Sequence, residues 1–168
     1  MEMHALALIA MVALQADEKL VWPMADGFAT AYQQSTPDGA EIEERVAKGE
    51  TVEAWSRMLT RITFPGAVDP ALFSTRMAER WQQSCTGAVA SAPTAGKRGV
   101  DIRIDCPRNP NTGKPETMFQ RVVPASGKLY ILQVAFRSVP TAEQVAWAKA
   151  ELDRATLCNA ASADKGCR

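Results

Sequence analysis

The chain has 168 residues, with 19 lysines and arginines balanced by 19 aspartates and glutamates and a single histidine. A formal charge of zero argues against a dedicated nucleic-acid binder, which carries a marked basic excess. The length suits one domain large enough to bury a real apolar core.

Residues 3–16 carry no charge with His4 neutral, and end at Ala16 ahead of Asp17-Glu18-Lys19. The run is shorter than the roughly 20 residues that span a bilayer. It fits the apolar region of a signal peptide, with small Ala16 at the cleavage position. It departs from that pattern in lacking Lys and Arg, and in having Leu14 two positions before Ala16. The expectation is a signal peptide over 1–16 and one globular domain over 17–168. The product would be periplasmic or secreted, with no integral membrane segment once the leader is removed.

Residues 27–34 have strand character around Phe28, Thr30 and Tyr32. Thr36-Pro37-Asp38-Gly39 reads as a turn, and 40–47 as the second strand of a hairpin. Thr51 is a plausible N-cap, and Val52, Trp55, Leu59 and Ile62 recur at helical spacing, so a helix is predicted over 51–60. Pro65-Gly66 breaks it. Asp69-Pro70 opens a second helix over 69–84, with Phe73, Met77, Trp81 and Cys85 on one stripe. Residues 92–99 form a loop by composition. Val100, Ile102, Ile104 and Cys106 then alternate with Asp101, Arg103 and Asp105, which predicts a half-buried strand over 100–106. After a polar loop, 116–124 and 128–137 read as strands joined at Ser126-Gly127. The second is apolar on both sides and is therefore central. Thr141 and Gln144 form a capping box for a third helix over 141–157, with Val145, Ala148, Leu152 and Ala155 on its core stripe. The expected class is α+β: a mostly antiparallel sheet covered by about three helices, resembling an α/β/α sandwich.

Cys85, Cys106, Cys158 and Cys167 include no Cys-x-x-Cys, so a zinc ribbon or redox dithiol is unsupported. Four cysteines allow three connectivities. Cys85–Cys106 and Cys158–Cys167 are favoured as sequence neighbours, and Cys85 and Cys106 both fall on inward-facing stripes.

Loss of the leader would remove His4, the only histidine, and with it Ser-His-Asp, Cys-His and His-ligated metal chemistry. Gly96-Lys97 and Gly113-Lys114 lack the spacing of a phosphate loop, and no cofactor is expected. Ser162-x-x-Lys165 matches a Ser-Lys pattern by letter only. Asp101, Asp105 and Glu116 are close in sequence, but the alternation with Arg103 reads as a solvated strand face. Arg98, Arg103, Arg108, Lys114 and Arg121 read first as a solvated face, with a modest patch for an anion or acidic partner as the alternative. Arg137 ends the central strand and is expected to find a carboxylate. Trp55 and Trp81 fall on helix stripes and read as packing. Trp22, before Pro23, and Trp147, off its helix stripe, are candidates for an exposed contact patch. The possible binding residues are thus Arg137, Trp22, Trp147, Arg103 and Lys114.

Gly49-Glu50-Thr51-x-x-x-Trp55-x-x-Met58-Leu59-Thr60, Cys85, Asp105-Cys106-Pro107, Glu116 and Tyr130-x-x-Gln133-x-Ala135-x-Arg137 form a scattered pattern across 40–158. It resembles uncharacterised small secreted proteins of Gram-negative bacteria. The resemblance implies a Mog1/PsbP-like fold, used mainly for protein binding and accessory roles, and supplies no catalytic residue. The functional expectation is an exported, non-catalytic binding or accessory protein for a protein partner or small ligand. The alternatives are a small-ligand carrier with a sheet–helix pocket, and a hydrolase using carboxylates or a Ser-Lys pair.

Overall fold

The structure is a computed structural model that describes residues 18–159, 162 and 165–167. The expected leader, its cleavage position and His4 lie outside the described residues, as does the side chain of Lys165. The strands are β1 (Lys19–Val21), β2 (Phe28–Ser35), β3 (Glu41–Ala47), β4 (Arg57–Pro65), β5 (Val89–Ala90), β6 (Thr94–Ala95), β7 (Val100–Cys106), β8 (Glu116–Ala125), β9 (Lys128–Phe136) and β10 (Thr156–Cys158). The helices are α1 (Pro70–Ser84) and α2 (Ala142–Asp153). Lys165–Cys167 makes a short 3-10 turn.

An antiparallel sheet runs in the order β2-β3-β4-β9-β8-β7-β5, with β6 also paired to β7. β1 and β10 form a separate two-stranded ribbon. The α+β expectation of three covering helices is corrected: the described residues contain two α-helices, and the sheet dominates.

The missing helix is the one expected over 51–60. Thr51 and Ala54 exchange backbone hydrogen bonds in a tight turn, and β4 starts at Arg57. The helical spacing of Leu59 and Ile62 was coincidental. Leu59 packs into the core on one sheet face and Ile62 into a cluster on the other. Thr60, Ile62, Thr63 and Phe64 are β-branched or aromatic residues that fit a pleated surface between two neighbours. Those neighbours are β3 and β9, in continuous register from Met58↔Ala135 to Phe64↔Leu129.

The other two helices start where the caps require. The Asp69 carboxylate accepts from the Leu72 amide at 2.8 Å, and Thr141 and Gln144 close the capping box at the start of α2. α2 is shorter than the expected 141–157, because Thr156–Cys158 leaves to pair with β1.

Alternation sends the side chains of β9 to two separate cores. Tyr130, Leu132, Val134 and Phe136 join Leu59, Phe119, Ala148, Leu152, Trp22 and Phe28 under α2 and the β1–β10 ribbon. On the other face, Ile102, Ile104 and Met118 meet Met77, Ala78 and Trp81 of α1, while Phe73 meets Val122, Leu129 and Ile131. Disulfides join Cys85 to Cys106, which ties the end of α1 to β7, and Cys158 to Cys167.

Candidate ligand groove

The two faces of the sheet are covered unequally. α1 packs on β7 and β8, and the α1-side surface of β3, β4 and β9 carries a row of polar side chains. Glu44 lies directly opposite Thr60, Thr60 opposite Gln133, and Gln133 opposite Gln120. Directly opposed residues share a face, so the four form one line across four strands. Gln133 Nε2 donates to Gln120 Oε1 at 2.9 Å. The Gln120 amide nitrogen is buried without a hydrogen-bond partner.

Glu44, Thr60 and Gln133 from this row, with Met58, Ala135 and Met118, line an open cavity of about 400 Å³. Its walls come from different elements: Trp81 from α1, Val52 and Trp55 from the 48–56 loop, and Asn109, Asn111 and Thr112 from the 107–115 loop. A second cavity, of about 520 Å³, shares Trp55, Asn111, Thr112 and Arg137, and extends past Glu50, Glu53 and Lys114. The two make one groove.

Arg137 stands where they join. Its guanidinium lies 4.1 Å from the centre of the Trp55 ring, and Nη1 donates to the Glu53 carbonyl at 2.6 Å. Its Nε is buried and unpartnered. The expected carboxylate partner is replaced by this aromatic stack and a backbone acceptor. The loop that supplies Trp55 is pinned by Glu50, which accepts from the Ser56 amide at 3.0 Å and hydroxyl at 2.6 Å.

Two carboxyls in the groove are held above the ordinary carboxylate range. Burial alone raises Glu44, whose carboxyl has no hydrogen bond or ion pair with the described residues. Burial also raises Glu116, against the Asn109 hydrogen bond at 2.8 Å and the charge of Arg137. They do not form a catalytic pair. Three strand spacings and four residues separate them, about 14 Å across and about 13 Å along the sheet. Glycosidase carboxylates sit roughly 5–9.5 Å apart.

Of the expected site residues, Arg137 and Lys114 come together in this groove. Arg103 projects from the opposite face, where it pairs with Asp105 at 2.8 Å and lies over Phe119. Asp101 and Asp105 share that face: Asp101 binds Arg121 at 2.7 Å, and Asp105 accepts from Thr117 at 2.7 Å. Glu116 is on the groove side, so the three acids close in sequence are separated by the sheet.

Trp22 and Trp147 do not form an exposed patch. Trp22 is 3% exposed and donates its indole N–H to the Glu151 carbonyl at 2.8 Å. Trp147 stacks on Phe28, meets Phe136 edge-on, and is capped by Arg57. The tryptophans at the groove are Trp55 and Trp81; Trp81 also packs against Ile102, Ile104 and Met118 as expected, whereas Trp55 stacks on Arg137. Gln133 was a readable signal, being the polar interruption in an otherwise apolar central strand; its alignment with Glu44 and Thr60 needed the register.

The described residues contain no group of three or more His, Cys, Asp or Glu placed to hold a metal ion. No helix among them is long and apolar enough to cross a membrane. No protein-family model matches the chain, and no curated protein does. The solved structure of LpqN from Mycobacterium tuberculosis, a protein involved in cell envelope biogenesis, is similar with a TM-score of 0.42 and 15% identity, covering 84% of each chain. That likeness is too loose to transfer any residue or role.

Proposed function

We propose that this is an exported, non-catalytic binding protein that takes an extended basic segment of a partner polypeptide in the groove between Trp55 and Trp81. The carrying observation is the polar row Glu44-Thr60-Gln133, which α1 leaves open on its side of the sheet. An open, polar floor suits a main chain that brings its own donors and acceptors; a carrier would be better served by a closed apolar cavity. Glu44, Glu50, Glu53 and Glu116 outnumber Arg137 and Lys114 along the groove, so a cationic segment is electrostatically favoured. Disulfides persist in oxidising compartments, and Cys85–Cys106 and Cys158–Cys167 support the periplasmic or secreted reading. The hydrolase alternative draws no support from the separated carboxyls.

An array of short extended peptides, basic, neutral and acidic, tests this reading with the oxidised protein. Basic peptides should be retained at low salt and lost at high salt, and Glu44→Lys and Trp55→Ala should each weaken retention with little change in Tm. Equal retention of acidic peptides, or retention indifferent to both substitutions, would overturn it.

A further inference from the structure

A second cavity, of about 530 Å³, lies on the opposite face of the sheet from the groove, where α2 leaves β7 partly uncovered. Its volume is within the roughly 300–1,000 Å³ of small-molecule sites. The apolar residues of its lining are Ile102 from β7, Phe119 from β8, and Val145 and Leu152 from α2. Phe119 and Leu152 belong to the main core, so this floor is fixed by packing rather than by a loop.

The charges around that floor do not cancel. Arg121 binds Asp101 through both Nε and Nη2 at 2.7 Å, and Asp153 through Nη1 at 2.7 Å. It also donates to the Leu152 carbonyl at 3.1 Å. Both acids of the cavity are therefore engaged by one buried cation. Arg103 is engaged by Asp105. Lys97 and Lys149 remain, from the turn before β7 and from α2, both exposed and neither ion-paired with any described residue. The turn itself is pressed close: a Cβ on Gly96 would stand 2.5 Å from Asp101 Oδ1. Glycine there lets the wall carrying Lys97 approach.

An apolar floor below two exposed ammonium groups, in a lining that remains net positive after Arg121, Asp101 and Asp153 are counted together, is the complement of an anionic amphiphile. We infer that this cavity binds a single-chain carboxylate, such as a fatty acid, with its tail on Phe119, Val145 and Leu152 and its head between Lys97 and Lys149. Burial of the tail supplies the apolar term, and the lysines set the choice of head group.

Titration of the oxidised protein with dansyl-undecanoate, a fluorescent fatty acid, tests the site. Saturable emission enhancement is expected, displaced by dodecanoate but not by dodecanol. The double variant Lys97→Gln/Lys149→Gln should weaken binding about tenfold or more. Both lysines are exposed, so the fold is not at stake. Val145→Trp, which fills the cavity, should abolish binding, whereas Trp55→Ala in the groove should leave it unchanged. Sedimentation with phosphatidylglycerol vesicles separates a free acid from a lipid surface. Dansyl-undecanoate binding without vesicle binding supports the proposal, and vesicle binding without saturable uptake of the free acid overturns it. So do an unchanged affinity in the double lysine variant, and equal displacement by dodecanol.

Discussion

Glu43 and Glu44 are consecutive on β3 and have opposite electrostatics. Glu43 points to the α2 side, where Arg45 at 2.8 Å, Arg61 at 3.1 Å and the Thr30 hydroxyl at 2.9 Å surround it. Burial pushes its carboxyl up, but these partners outweigh burial and hold it below the ordinary range. Its stabilising effect is therefore present above the unfolded-state pKa and is lost as pH falls through the lower folded value. Glu43→Ala should cost about 3 kcal/mol in urea denaturation at neutral pH, because Arg45 is left buried without its carboxylate. Glu44 points to the groove with no partner among the described residues, and burial raises it. Its ionised form opposes folding, and that penalty shrinks as pH drops through the raised folded pKa and is gone below the unfolded-state value. Glu44→Gln should accordingly raise Tm at neutral pH, with a gain that shrinks towards acid pH. A Tm gain of the same size across the range would mean that the gain does not come from removing the charge, and no gain at neutral pH would mean that Glu44 is solvated. Alternation alone predicted that neighbours on a strand face apart; which one found cations depended on Arg61 of β4, across a register that was not readable.

β4 is the element whose misassignment mattered most. Read as a helix, 51–60 carried Trp55 into the core; as a turn and a central strand, it puts Trp55 at the groove and Leu59 under α2. Leu59→Ala should destabilise by about 3 kcal/mol, the cost of a cavity at a site with no exposure. The hairpins and the two capped helices were legible because turn residues and caps act locally, as Thr36-Pro37-Asp38-Gly39 and Asp69-Pro70 do. β1 and β10 were not, being three residues each and paired across most of the chain, from Lys19 to Cys158. The Cys85–Cys106 bridge links α1, which supplies Trp81, to the sheet. Replacing both cysteines by serine should cost about 3 kcal/mol on the loop-entropy estimate, read as a lower denaturation midpoint.

Both faces of the sheet carry an opening: the polar groove on the α1 side and the cavity between α2 and β7 on the other. On the α2 side the aromatic residues Trp22, Phe28, Phe136 and Trp147 belong to the core, while Trp55 and Trp81 line the groove. That division separates the four indoles into two reporters of the groove and two of the core. Composition anticipated that no strong overall charge would drive function, and so hid the local acidity of the groove. The most direct test follows the four indole N–H signals by NMR while a short arginine-rich peptide is added to the oxidised protein. Saturable shifts of the Trp55 and Trp81 indoles and the Gln133 side-chain amide are expected, with Trp22 and Trp147 unmoved. Shifts confined to Trp147 and its neighbours, or none at saturating peptide, would contradict peptide binding in the groove.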